Sequence, residues 1–367
     1  MSTRDTLRTQ VLAFIHASKR GERNDATRDA LLLDLLTWQE AQLPAMARIR
    51  QSRAATANTG VDSFAALPTD LYRVMRVASF DEKNEIRVFR TSGTTRDARG
   101  AHSFMDLSLY DAAAEAAARY ALFPDVDRMR LIVLAPSTAE LRDSSLSYML
   151  SRFHDWFGLP NDLNVVRDAT IDVVALKTAL REAEKSGAPV ALLGTSFAFV
   201  HAEDALLGDV FRLPAGSRIM QTGGFKGRSR EVEPAAMRQM LQTRYGVDDA
   251  RIVAEYGMTE LSSQMYENTL RAAVVQKESV ARALWAPPWV RVTAVHPETC
   301  MRVPRGDIGI LRIDDLANVD SCAAIQTSDL GREVDEGVLL LGRDPNAVPR
   351  GCSLAMDVAL SSGGYHA

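Results

Sequence analysis

The chain lacks most of the features that would place it in a specialised class. It has three cysteines in 367 residues, Cys300, Cys322 and Cys352, and no two of them stand at the close paired spacing of a zinc site. An odd number of scattered thiols suits a reducing compartment, so the protein is expected in the cytoplasm. No apolar run approaches the roughly 18 residues needed to span a bilayer. The start, Met1-Ser2-Thr3-Arg4-Asp5, leads into a charged amphipathic pattern and not an apolar signal core. Neither sign of charge dominates: 43 Lys and Arg stand against 47 Asp and Glu, which argues against non-specific nucleic-acid binding. The richest basic cluster, Lys226-Gly227-Arg228-Ser229-Arg230, is too small for a duplex footprint but large enough to meet a phosphate. There is no internal repeat and no long low-complexity tract. No Gly-Lys-Ser/Thr follows Gly93 at the spacing of a Walker loop.

What is present has a clear order. The chain is long enough to bury a large core in one or two domains. Residues 1–80 are expected to be a helical cap or packing layer, with Leu7, Val11, Phe14 and Ile15, then Leu31 to Leu36 and Trp38, at helical spacing. Over residues 81–287, short apolar runs alternate with helical stretches. The runs are Arg130 to Ala135, Val190 to Leu193, Arg218 to Met220 and Arg251 to Ala254. The helices are Leu107 to Phe123, Val173 to Ser186 and Glu231 to Tyr245. Such alternation predicts an α/β core with a mostly parallel sheet, its ligands beyond the carboxyl ends of the strands. Residues 288–345 change rhythm: Val290 to Val295, Ile308 to Ile313 and Val338 to Leu341 predict a small antiparallel β region. A terminal segment, 346–367, ends in a tail predicted to be mobile.

Four segments carry chemistry-bearing residues. Thr91-Ser92-Gly93-Thr94-Thr95-Arg96-Asp97-Ala98-Arg99-Gly100 combines hydroxyls, glycine and two arginines, which suits an anion and equally suits a polar surface turn. Gln221-Thr222-Gly223-Gly224-Phe225-Lys226 sits where a strand should end. The double glycine would let a flat group lie on the backbone, and Lys226 would reach an acid or phosphate, unless the lysine is simply solvated. Glu255-Tyr256-Gly257-Met258-Thr259-Glu260 offers a hydroxyl and a hard oxygen ligand for magnesium. Thr327-Ser328-Asp329-Leu330-Gly331, followed by Gly342-Arg343, places an aspartate in an expected turn, able to accept from ribose hydroxyls.

Taken in order, these four segments resemble the motif series of the adenylate-forming superfamily of acyl-CoA synthetases and nonribosomal adenylation domains. Within it, the chain resembles the acyl-protein synthetases of bacterial luminescence (fatty-acid–protein ligases). The similar features are Asp143-Ser144-Ser145-Leu146-Ser147-Tyr148-Met149, Gly223-Gly224-Phe225-Lys226 and Arg350-Gly351-Cys352-Ser353-Leu354. The resemblance implies an α/β fold like the large N-terminal domain of these enzymes, without the usual C-terminal mobile domain, and 346–367 as a hinge remnant. It implies ATP and Mg2+ as cofactors. Thr91, Ser92, Gly93, Thr94, Thr95 and Arg99 would hold phosphates, and Gly223, Gly224, Tyr256 and Gly257 would flank adenine. Thr259 would meet the α-phosphate, Glu260 would hold magnesium, and Asp329 and Arg343 would hold ribose. The family's loop has glycine, proline and lysine where this chain has Arg96, Ala98 and Arg99, and Lys226 is the expected substitute for the mobile domain's lysine.

The resemblance further implies acyl transfer to Cys352, beside Arg350 and Gly351, although that cysteine equally fills a hinge position. Cys300 and Cys322 are expected to be structural. Phe197, Phe199 and Met149 are expected near the acid, fatty or aromatic, and an acyl reductase, acyltransferase, carrier protein or CoA would receive the acyl group. A rival from another class is a serine hydrolase: Gly194-Thr195-Ser196-Phe197-Ala198 approaches a nucleophile elbow at Ser196, with Ala198 where glycine is usual. His201 stands too close in sequence for that fold, and the four nucleotide segments would go unexplained.

Overall fold

A computed structural model describes residues 3–52, 59–92, 99–223 and 232–343. The chain divides into two compact units. The first takes Met1–Ala116, Met258–Gln264 and Trp285–Ala367, and the second takes Ala117–Gly257 and Met265–Leu284.

The second unit is the α/β layer. Its strands run in the order Met265–Glu267, Ile252–Tyr256, Arg218–Thr222, Val190–Thr195, Arg130–Leu134 and Leu163–Asn164. All neighbours are parallel except the first pair. Helices Val173–Ser186, Ser196–Ala205 and Pro234–Tyr245 connect or follow them, as crossover connections between parallel strands with covered faces require. Register explains the core: Leu163, Ile132, Leu192, Ile219 and Ile252 form one row across five strands, and the last four are fully buried. The helix ends are written locally. Asp172 accepts from the Ala175 N–H at 2.9 Å to start Val173–Ser186, and Gly187 ends it at φ 69°. Gly194 is required by its neighbour, since a Cβ there would stand 2.8 Å from the Leu134 carbonyl oxygen.

The first unit opens with helices Thr3–Ala17, Asp25–Gln42 and Pro44–Ser52, whose faces bury Leu7, Val11 and Ile15, Leu32, Leu35 and Leu36, and Met46 and Ile49. Its sheet is antiparallel, in the order Val290–Val295, Gly309–Asp315, Ala324–Val334 and Gly337–Arg343. Two expectations change here. Residues 1–80 are not wholly helical: Leu67–Pro68 adds a parallel strand, with Leu67 against Ile325. Asp329 lies not in a turn but within the strand Ala324–Val334. Its polar sequence is extended because strands pair with it on both sides, and tertiary pairing overrides local propensity. A hairpin, Arg87–Arg90 with Ala101–Phe104, completes this unit. Among the described residues no helix is long and apolar enough to cross a membrane.

Candidate functional site

In the second unit the polar residues cluster at the carboxyl ends of the parallel strands. Thr195, Thr222 and Glu255 share one row across three strands. The Thr222 hydroxyl donates to the Glu255 carboxyl. Burial pushes the Glu255 carboxyl up to about 7, and the Thr222 hydrogen bond only partly offsets this. Gly223 follows at φ 72°, and a Cβ there would meet nothing within 4 Å, so its face of the backbone is open. The Ser196 hydroxyl donates to the Gln221 side chain and, at 2.8 Å, to the Gly223 carbonyl. Ser196 is thus a buried brace for the strand end that carries Gly223, which removes the geometry of an exposed nucleophile elbow. Tyr256 is buried at its strand end and Gly257 is exposed. Phe199, expected near the acid, lies in the hydrophobic core against Tyr245. Met149 is also buried, and the Phe197 ring meets His201 edge-on at 4.4 Å. Gly224 and Lys226 lie outside the described residues.

In the first unit the ends of the Thr91–Gly100 segment are tied together. The Thr91 N–H donates to the Gly100 carbonyl at 2.9 Å, and the Gly100 N–H donates to the Thr91 hydroxyl at 2.8 Å. Arg99 donates to the carbonyls of Thr91, at 2.5 Å, and Arg90, at 3.2 Å, so its guanidinium closes the base of this loop. Ser92 is exposed. Gly93, Thr94 and Thr95 lie outside the described residues.

Thr259 and Glu260 sit in a turn closed by the Leu261 N–H on the Met258 carbonyl at 3.1 Å. Behind it stands support that the sequence did not reveal. His102 Nδ1 meets the Thr259 carbonyl at 2.8 Å, and Asn318 Nδ2 donates to the Glu260 carbonyl at 2.9 Å. The Asp315 carboxylate accepts from the N–H groups of Ser262, Ser263 and Ala317 and from the Ser263 hydroxyl. Burial outweighs those donors and pushes Asp315 up to about 6. These partners were missed because they lie more than 50 residues away in sequence, with no local signature.

Asp329 and Arg343 face each other across the Ala324–Val334 and Gly337–Arg343 strands. Arg343 Nε donates to the buried Asp329 carboxylate at 2.7 Å, while the arginine side chain is 63% exposed. The aspartate is thereby held in one orientation with a cation beside it.

Of the thiols, Cys322 is fully buried, and burial pushes it up to about 12, which removes it as a nucleophile. Cys300 is half-buried in a turn at φ 54°. Cys352 lies outside the described residues, as do segment 346–367 and its tail.

Among the described residues no three His, Cys, Asp or Glu side chains cluster as a protein cage. A magnesium ion held mainly by phosphate oxygens would need only one or two carboxylates, and Glu260 is a hard oxygen donor of that kind.

The chain is 24% identical over 242 residues to the long-chain-fatty-acid–luciferin-component ligase of Aliivibrio fischeri, covering 62% of this chain and 60% of that one. It is 23% identical over 248 residues to the ligase of the same name from Vibrio harveyi, covering 64% and 61%. The matches therefore span about 60% of the length of these curated relatives. Among solved structures, an open conformation of 2-hydroxyisobutyryl-CoA ligase, in complex with 2-HIB-AMP and CoA, superposes with a TM-score of 0.61 at 11% identity. That match covers 90% of this chain and 78% of the other and establishes the fold. A family model described as acyl-protein synthetase, LuxE, matches residues 49–361, a span that takes in every motif residue described above. The chain belongs to the acyl-protein synthetase (LuxE) family.

Proposed function

We propose that this protein activates a carboxylic acid, fatty or aryl, with ATP and then passes the acyl group to a thiol. In the first step a carboxylate oxygen attacks the α-phosphorus, the bond to pyrophosphate breaks, and acyl-AMP forms. Little covalent chemistry is asked of the protein. Positioning and neutralisation of charge on phosphate oxygens carry the rate. The observation that best supports this reading is the placement of the motifs within the family match: Gly223 and Tyr256 at neighbouring strand ends, Thr259 and Glu260 in a braced turn, and Asp329 oriented by Arg343. In this reading Gly223, Gly224, Tyr256 and Gly257 flank adenine, and Asp329 with Arg343 holds ribose. Thr91, Ser92, Gly93, Thr94, Thr95, Arg99 and Lys226 meet phosphate oxygens, Thr259 meets the α-phosphate, and Glu260 holds magnesium, which neutralises phosphate charge when bound.

In the second step a thiolate attacks the acyl carbon and AMP leaves, forming a thioester. Cys352 is the proposed acceptor: it falls within the family span, and Cys322 is excluded by its burial. The thioester then serves an acyl reductase, acyltransferase or carrier protein. The test is acid-dependent exchange of pyrophosphate into ATP across a panel of acids. Glu260→Gln and Thr94→Val should each lower exchange at least about tenfold, and unchanged exchange in both would overturn the assignment. Intact mass after incubation with ATP, magnesium and the best acid should show one hydroxylamine-labile acyl group that Cys352→Ala loses. Undiminished labelling of that variant, or equal acylation of free CoA by it, would replace the Cys352 step with a CoA-ligase reading.

A further inference from the structure

The braced turn of Thr259 and Glu260 has a second layer with its own chemistry. His102, Ser262 and Asn318 are each no more than 1% exposed. His102 Nδ1 faces the Thr259 carbonyl at 2.8 Å. A carbonyl only accepts, so Nδ1 carries the proton. Burial lowers the ring to about 4, so it is neutral at ordinary pH, and Nε2 is left as an acceptor. Asn318 spends its amide N–H groups on the Glu260 and Cys322 carbonyls, at 2.9 and 3.0 Å. Among the described residues, His102 Nε2, Asn318 Oδ1 and Ser262 Oγ have no hydrogen-bond partner. All three residues line one cavity together with the Arg4–Asp320 and Arg8–Asp106 ion pairs, and its volume of about 10 Å³ admits a single water. With the charged residues of the lining paired to each other, the unpartnered groups are two acceptors, His102 Nε2 and Asn318 Oδ1, and one donor, the Ser262 hydroxyl, a set that one water with two hydrogens and a lone pair complements.

We propose that His102 and Asn318 are positioning residues, which clamp the main chain of Thr259 and Glu260 by its two carbonyls through a unit completed by one internal water shared with Ser262. The inference rests on the reading of Thr259 and Glu260 as phosphate- and magnesium-binding residues. Both His102 and Asn318 are too buried to meet substrate themselves. Each fixes a peptide whose side chains do, and loss of such outer support costs about 10–100-fold in activity or metal affinity at comparable sites.

His102→Phe keeps an aromatic ring and removes both nitrogens, whereas His102→Asn keeps a donor where Nδ1 stood. The expected result in acid-dependent exchange is a loss of about tenfold in kcat for His102→Phe, with a rise in the magnesium concentration for half-maximal rate and little change in KM for the acid. His102→Asn should recover most of it. Wild-type-like exchange in His102→Phe, while Glu260→Gln is inactive, overturns the clamp. If Glu260→Gln leaves exchange intact, the magnesium reading fails and the clamp is judged without activity. In amide hydrogen exchange, peptides covering residues 259–263 should open at least about tenfold faster in His102→Phe and in Asn318→Leu, but not in His102→Asn. Unchanged protection in both, or a loss spread evenly over the chain, overturns it. A crystal structure lacking a water within hydrogen-bond reach of His102, Ser262 and Asn318 overturns the shared water.

Discussion

Replacing Glu255 by glutamine should make the protein more stable at alkaline pH, and the size of the gain follows from where the carboxyl sits. Glu255 is buried in the row with Thr222, and its carboxyl is raised from 4.5 to about 7. In the unfolded chain the same group ionises near its ordinary value. Between about 4.5 and 7, unfolding therefore releases a proton, and stability falls as pH rises through this window and levels above it. The gap corresponds to about 3 kcal/mol at pH 8. The amide introduced by Glu255→Gln would not titrate, and its carbonyl oxygen can still accept from Thr222. Urea unfolding of both proteins at pH 4, 5, 6, 7 and 8, compared at equal m, should give a difference near zero at pH 4 that grows to roughly 3 kcal/mol in favour of Glu255→Gln at pH 8. Asp315, raised to about 6, acts in the same direction, and His102, lowered to about 4, acts in the opposite one. Both are common to the two proteins and cancel in the difference. A difference that stays flat with pH, or that favours the wild type increasingly as pH rises, would refute the reasoning.

Three further outcomes follow from packing and charge. Asp125→Ala should destabilise the protein by about 3 kcal/mol in urea unfolding, because it strips the fully buried Arg218 guanidinium of its 2.7 Å carboxylate partner; an effect under about 1 kcal/mol would show that the Leu122 and Gly216 carbonyls suffice. Gly194→Ala should cost roughly 2 kcal/mol or more, since the new methyl collides with the main chain of Leu134 and not with a movable side-chain tip; Gly223→Ala, with open space but φ 72°, should cost about 1–2 kcal/mol. Under native conditions at pH 8, iodoacetamide should leave Cys322 unmodified while Cys300 reacts, and Cys322 should label only on unfolding.

How far the fold was legible depended on whether the determining contacts were local. The helix Val173–Ser186 was readable to the residue, since Asp172 caps its start and Gly187 its end. The buried strands were readable because parallel strands covered on both faces are continuous apolar runs. The strand Ala324–Val334 was not, for its Gln326-Thr327-Ser328-Asp329 stretch carries no apolar alternation and is extended only by its two neighbours. The hairpin Arg87–Phe104 was hidden for a similar reason. At the candidate site, the motif segments could be picked out because each is a short local run of glycines, hydroxyls and charges. Their partners could not: His102 stands 157 residues from Thr259, and the guanidinium of Arg99 also ties its own loop to the Thr91 and Arg90 carbonyls.

The interleaving of the two units in sequence sets a timetable for synthesis. The helix Asp25–Gln42 is anchored where Gln39 accepts from the Ala323 N–H, 284 residues downstream. Arg4 reaches Asp320, and Leu67 pairs with Ile325. At ~5–20 residues per second, the apolar faces of the first helices wait roughly 15–60 s on the ribosome before these partners exist. The second unit is nearly contiguous, from Ala117 to Leu284 apart from one short excursion, and has all its strands in hand before the strand Val290–Val295 of the first unit is made. Pulse proteolysis of stalled nascent chains should find that unit protected while the N-terminal helices are still cut, with their protection arriving only once the ribosome has passed the strand at residue 325.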